Sequence, residues 1–381
     1  MIEERGTPSG FLCADTARDG LLFAIKNRQY IAVKSVKPSH VAHRTQQLKA
    51  SSPSDIATAA ELLRGGKLVA IPTETVYGLA ANALDANAVE SIFVAKQRPH
   101  WDPLIVHICD MAMLLRVVRE MPPNALKLME KFWPGPLTML LPRHLDLPDA
   151  VTAGRDLVGV RMPSHTAALE LIQASGVPLA APSANLFGHI SPTSVTHVLA
   201  DLNGRIDAVV DAGTSEIGVE STVFDPMSCV LYRQGGVSRE QIAEVLGQPV
   251  SVYYRREDVT RPVAKPESLP SPGVGMRHYA PRAVLLLVHS QEDLDALLLE
   301  VTPESTGLML PKGWTAKEWT GKVFQWECWN DGAALAKTLY TGLRTLDTRG
   351  VRIIVCPLPR SSEESLVEAV RDRLLKAARD S

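Results

Sequence analysis

Lys96 and Arg98, two residues apart in AKQRPHWDPLIVH, stand where a helix must end, because Pro99 follows. Cations at that place complement the helix macrodipole by about 0.3–1 kcal/mol. They would equally serve a polyanion, and spacing alone leaves both readings open. Arg161 closes the strand-like LVGVRM before Pro163, and Arg233 closes VLYRQ before Gly235-Gly236. Open α/β sheets place ligands at strand ends, so several arginines there form a charge-rich mouth. Three hydroxyl-bearing stretches share that placement: PTETVYG follows KLVAI, PSAN follows PLAA, and VEST opens STVFD. Short hydroxyl and amide side chains orient a small polar ligand through donors and acceptors. Turn and cap chemistry accounts for any one of them taken alone. His107, inside PLIVHI, reads in isolation as a core histidine. Together the residues describe a pocket for an anion beside a small polar molecule.

The elements that must hold these groups alternate between helix and buried strand from about Ser54. Residues 55–64 read as a helix and KLVAIP as a strand. DANAVESIFVAK carries Val89, Ile92, Phe93 and Lys96 at helical spacing, with Asp85 or Asn87 as N-cap. PLIVHI is a strand and Asp110 to Glu120 a helix. Further strands are expected at LTMLL, LVGVRM, PLAAP, DAVVD, STVFD and VLYRQ. SPTSVTHVLADLNG gives Ser191 as N-cap, Pro192 at the first helical position and Gly204 as the stop. SREQIAEVLG places Ser238 and Gln241 in a capping box and ends on Gly247. Six prolines between 249 and 281 break regular structure and mark a linker. After it, AVLLLV, TGLMLP, KVFQWE and VRIIVCP read as strands. Helices fit at 291–301, 331–346 and 362–378, giving a small Rossmann-like α/β domain. Residues 1–52, ending in KASSPSD, read as a poorly ordered N-terminal extension.

The bulk properties set bounds. A chain of 381 residues with 45% apolar content holds more than one core. Its net charge of −2 gives no basic face for nucleic acid, so a polyanion site must be local. No apolar run approaches the ~18 residues of a membrane span, and a cytoplasmic location is expected. Five scattered cysteines without a CxxC pair argue against zinc and for a reducing compartment. No Walker loop or complete dinucleotide fingerprint is present, so any phosphate must be held by side chains.

Taken in order, IPTETVYGLA, AKQRPHWDPLIVH, FWPGPLTMLLP, GVRMPSH, PLAAPSAN, ISPT, GVESTVFD and LYRQGG closely resemble the YrdC/Sua5 family, over about Pro53 to Gly247. SPGVGMRHYAP and the C-terminal α/β domain resemble the longer Sua5 form. The resemblance implies a YrdC-like twisted mixed sheet enclosing a positively charged cavity (residues 53–247), a linker or lid (248–281) and a Rossmann-like domain (282–381). It implies a nucleotidyltransferase that condenses L-threonine, bicarbonate and ATP, with Mg²⁺, into threonylcarbamoyl-AMP and pyrophosphate. That product feeds threonylcarbamoylation of adenosine 37 in tRNA through a downstream transfer complex. The family's KxR motif falls on Lys96 and Arg98, and its SxN motif on Ser183 and Asn185. ATP contacts are implied for Arg98, Asp102, Ser183, Ser191 and Arg233. Threonine contacts are implied for Thr75, His107, Arg161, Ser221 and the backbone of Ala181. The chain departs from the usual SPGMKYRHYAP at Val274, Gly275 and Met276, within the segment expected to close over the site. Two other readings share a YrdC-like module: a ribosome-assembly factor or binder of double-stranded RNA or tRNA, and carbamoyl transfer in hydrogenase maturation. The latter would bring CxxC zinc fingers that this sequence lacks.

Overall fold

The computed structural model describes residues 44–253, 271, 279–327 and 329–378. The expected extension up to residue 43, and residues 254–270 and 272–278 of the linker, lie outside the described residues. The larger part runs β1 (Gln46–Lys49), α1 (Pro53–Arg64), β2 (Val69–Ile71), β3 (Gly78–Asn82), α2 (Ala86–Lys96) and β4 (Ile105–His107). It continues through α3 (Met111–Leu114), α4 (Pro123–Phe132), β5 (Leu137–Pro142), α5 (Asp149–Thr152), β6 (Leu157–Arg161) and α6 (Thr166–Ser175). Then come β7 (Leu179–Ala180), α7 (Val195–Leu202), β8 (Ala208–Asp211), β9 (Thr222–Asp225), β10 (Val230–Arg233), α8 (Arg239–Leu246) and β11 (Ser251–Val252). These strands form one mixed sheet in the order β1-β8-β2-β3-β7-β4-β6-β5-β9-β10-β11. Strand β5 is buried along its whole length, as its unbroken apolar run requires of a central strand.

The second part comprises β12 (Val284–Val288), α9 (Gln291–Leu298), β13 (Thr306–Leu310), β14 (Lys322–Gln325), α10 (Gly332–Thr348), β15 (Ile353–Pro357) and α11 (Ser365–Ala378). Its strands, ordered β12-β15-β13-β14, pair in parallel throughout. The alternation of side chains across the strands separates two cores. Met309, Ile354 and Cys356 face one cluster with Leu339 and Leu343 of α10 and Val370 and Leu374 of α11. Leu308, Leu310 and Val355 face the other, with Leu294 and Leu297 of α9. Helices therefore cover both faces, the layered arrangement expected from the sequence.

Three expectations need correction. Residues 44–52 are not loose: β1 pairs in parallel with β8, and buried Thr45 donates its hydroxyl to the Ile206 carbonyl at 3.0 Å. The helix expected over 110–120 stops at Leu114. Beyond it the backbone is spent on the end of β5, with Arg119 N–H donating to the Pro142 carbonyl and His144 N–H to that of Val117. Ser194, not Ser191, caps α7, its hydroxyl accepting from His197 N–H. Ser191 is fully buried and used elsewhere. Other signals hold as read: Asp85 caps α2, and the Ser238–Gln241 capping box and Gly247 bound α8.

Helix α10 packs against the segments that carry the hydroxyl-rich motifs. Val76, Ile190 and Val219 share a core with Leu335, Leu339 and Tyr340 of α10. Gly218 meets α10 backbone to backbone. Its φ is +87°, and a Cβ there would stand 2.4 Å from the Ala336 carbonyl oxygen. Gly218→Ala is thus expected to lower unfolding free energy by about 3 kcal/mol, through backbone overlap and positive φ together. A denaturant titration that leaves the midpoint unchanged would contradict this contact.

Candidate active site

The PTETVYG turn between β2 and β3 is built around one hydroxyl. Thr73 donates to the Val76 carbonyl at 2.6 Å, and its oxygen accepts from the backbone N–H of Thr75 and Val76. That closed turn fixes Thr75, whose hydroxyl accepts from Arg161 at 3.0 Å. Arg161 stands at the end of β6 in register with His107 at the end of β4, since the two strands are parallel neighbours. Its guanidinium donates to Glu74 at 3.1 Å and to His107 Nε2 at 3.1 Å. His107 must therefore be neutral and carry its proton on Nδ1. Burial holds its pKa well below the usual 6.5, helped by Arg161 and opposed by the carbonyls of Ile105 and Leu179.

Arg98 is aimed by the way α2 ends. Gln97 takes the left-handed conformation at φ 53°, and Arg98 N–H turns back to the Phe93 carbonyl. The guanidinium then donates to the carbonyls of Asp102 and Pro103 and lies 3.0 Å from the Asp102 carboxylate. Arg233, at the end of β10, donates to the Ser221 carbonyl at 2.9 Å and to the Ser221 hydroxyl at 3.1 Å. Ser221 is itself hydrogen-bonded to Thr138 at 2.8 Å.

These groups converge on one cleft. Of the residues expected at the site, Thr75, Arg98, His107, Arg161, Ala181, Ser183, Ser221 and Arg233 line it. The buried guanidiniums feel one another. Burial lowers the pKa of Arg98 and of Arg161, and Arg233 lowers both further, against Asp102 and Glu74 respectively. Three buried guanidiniums thus offer fixed, directed donors to an anion in one cleft, with Asp102 and Glu74 holding Arg98 and Arg161 in place.

Lys96, Asp102, Asn185 and Ser191 stand outside the lining. The Lys96 ammonium donates to the carbonyls of Ser183 and Asn185, tying α2 to the PSAN segment. Burial and then Arg98 push its pKa far down, opposed by Asp102 and Asp201. Its observed partners are thus main-chain carbonyls. Asn185 donates to the carbonyls of Leu186 and His189 and closes its own loop. Ser191 donates to Glu220 at 2.5 Å.

Thr73, Glu220 and Tyr279 also line the cleft, and the sequence reading did not single them out. Each lies in a motif that was read, but nothing local told which side chain faces inward. Behind the wall, His197 Nδ1 accepts from Thr193 N–H, and burial followed by Arg344 lowers its pKa to about 4, against Asp201. The unfolded chain takes up protons near 6.5 that folded His107 and His197 refuse. The stability each contributes is therefore full above pH 6.5 and is lost as pH falls, toward 4 for His197 and further for as long as His107 stays neutral, at up to roughly 1.4 kcal/mol per pH unit for each histidine. His197→Asn, which keeps an acceptor for Thr193, is expected to reduce that slope in urea titrations between pH 6.5 and 4.5. An unchanged slope would contradict the assignment.

Residues 61–235 match the Sua5_yciO_yrdC family, described as Telomere recombination. Residues 237–379 match Sua5_C, described as Threonylcarbamoyl-AMP synthase, C-terminal domain. The threonylcarbamoyl-AMP synthase of Pyrococcus abyssi is 40% identical over 337 residues, covering 85% of this chain and 94% of its own. That of Bacillus subtilis is 42% identical over 352 residues, covering 88% and 95%. The crystal structure of P. abyssi Sua5 complexed with L-threonine is similar at a TM-score of 0.77 and 39% identity, over 88% of this chain and 97% of that one. The chain therefore belongs to the Sua5/YrdC family, in the long form that joins the cleft-bearing part to a Sua5 C-terminal domain.

Proposed function

We propose that this chain is a threonylcarbamoyl-AMP synthase, acting as a nucleotidyltransferase on L-threonine, bicarbonate and ATP. The observation that carries the reading is the convergence of Arg98, Arg161 and Arg233 on a single hydroxyl-lined cleft, in a chain of this family. Threonine amine and bicarbonate give the carbamate with loss of water. A carbamate oxygen then bonds to the α-phosphorus of ATP as the bond to the bridging oxygen breaks and pyrophosphate leaves. Both reactants are anionic, so their repulsion opposes the step. Arg98 and Arg233 offset it and stabilise charge growing on the leaving group. Arg161 receives the threonine carboxylate. Its buried Nε–H has no partner among the described residues, and an unmatched buried donor costs about 1–3 kcal/mol that a carboxylate would recover.

Positioning does most of the remaining work. Thr75, Ser183 and Ser221 orient the substrates, and Lys96 acts by holding the Ser183–Asn185 backbone in place. No side chain is assigned as a nucleophile. Among the described residues no group of three His, Cys, Asp or Glu side chains could hold a metal ion. Mg²⁺ would enter with the nucleotide and neutralise part of its triphosphate charge. The adenylate is passed to a complex that transfers threonylcarbamoyl to tRNA, in the cytoplasm, where thiols such as Cys109, Cys229 and Cys356 remain free. No helix among the described residues is long and apolar enough to cross a membrane. Double-stranded RNA is a poor fit to the cleft. The side chains of Arg98 and Arg161 are 4% and 3% exposed and cannot reach a duplex backbone.

The test is pyrophosphate release. It is expected only when ATP, threonine and bicarbonate are all supplied. A folded protein with no threonine-dependent release would end this reading.

A further inference from the structure

Glu220 lines the cleft, yet its carboxylate is held from outside the sheet that forms the cleft. Arg373 of α11 donates Nε–H to Oε2 at 3.0 Å, and the Tyr340 hydroxyl of α10 lies 3.1 and 3.0 Å from the two oxygens. Ser191 supplies a further hydrogen bond. The Arg373 side chain is 1% exposed, and its guanidinium sits over the ring of Tyr279, 5.4 Å from the centroid. Tyr279, another cleft residue, stacks on Tyr340 at 6.1 Å and 24°. Two parts of the cleft wall therefore rest on one arginine and one tyrosine of the C-terminal domain. Electrostatics gives this contact a consequence. The carboxylates of Asp102 and Glu74 are matched by Arg98 and Arg161 of their own sheet. Glu220 also acts on Arg233, and a buried negative charge there subtracts from the field offered to an anionic ligand. Arg373 supplies the compensating positive charge.

We propose that Arg373 is a positioning residue for the nucleotide: by holding and neutralising Glu220, the C-terminal domain sets how tightly the cleft binds a triphosphate. The proposal rests on the functional reading above. It goes further by assigning a nucleotide-affinity role to a residue outside the nucleotide's own domain.

The experiment measures ATP binding to the full chain by titration calorimetry, independently of turnover, with KM and kcat for ATP taken from pyrophosphate release. Arg373→Met is expected to weaken ATP binding and raise its KM about tenfold, with kcat changed less than about threefold, because an uncompensated buried carboxylate opposes the ligand's charge. Glu220→Gln combined with Arg373→Met is expected to restore ATP affinity to within about threefold of wild type, since neither charge then remains. A folded Arg373→Met with wild-type ATP affinity would overturn the proposal, as would a double variant no better than the single one. Should Arg373→Met fail to fold, the double variant alone decides: near wild-type affinity supports the coupling, and a tenfold loss overturns it. A wild type that binds ATP but releases no threonine-dependent pyrophosphate sinks the functional reading and leaves the affinity test standing. A wild type that binds no ATP overturns both.

Discussion

Arg98→Ala is expected to cut threonine-dependent pyrophosphate release by roughly 10²–10³-fold, the usual loss when one preorganised donor to developing charge is removed. The expectation follows from how the side chain is held. Two main-chain carbonyls and the Asp102 carboxylate fix the guanidinium, so it needs no reorganisation when charge builds on the leaving phosphate. Because the group is buried, a melting curve must accompany the assay. Arg98→Lys separates the effects by keeping charge while losing the fork, and it should recover only part of the rate. A folded Arg98→Ala protein with wild-type turnover would remove Arg98 from the chemistry.

Arg161→Lys is expected to lower kcat/KM for threonine by roughly 10²-fold, chiefly through KM, while KM for ATP moves little. Arg161 spans Glu74, Thr75 and His107 with one planar group. A lysine ammonium is a single point on a flexible stem, and it cannot serve those three partners and a substrate carboxylate at once. His107 is held neutral by burial and by Arg161 itself. It therefore accepts from the guanidinium and adds no competing positive charge. Steady-state kinetics with threonine varied at saturating ATP checks the prediction. An increase confined to the KM of ATP would place threonine elsewhere.

Local rules marked the cations as candidates, while Thr75, His107, Ala181 and Ser221 were marked only by the family resemblance. Arg98 follows a helix stop, and Arg161 and Arg233 close buried strands, so sequence position already implied a shared edge. The partners of those cations were not visible. Lys96 and Arg98 look alike on the page, but one meets carbonyls 87 and 89 residues away and the other faces the cleft. Only folding distinguishes them. Ser191 fits the local N-cap pattern with Pro192 after it, but its hydroxyl goes to Glu220 and Ser194 caps the helix instead. The segment 116–120 had helical residues, but the turn ends at Val118, and Arg119 N–H and the Val117 carbonyl pair with the end of β5 instead. Strand β1 is four residues long with a single buried side chain, too short for any periodicity to announce. Arg373 lies 153 residues from Glu220 on a helix with an ordinary amphipathic pattern. No local signal marks it.

The claim beneath all of this is that Arg98 and Arg233 grip a triphosphate in the same cleft where Arg161 grips threonine. A crystal of the protein soaked with threonine and a non-hydrolysable ATP analogue tests it most directly. The expected density places phosphate oxygens within hydrogen-bond distance of both Arg98 and Arg233, and the amino-acid carboxylate against Arg161. Triphosphate density away from those two guanidiniums would contradict the account.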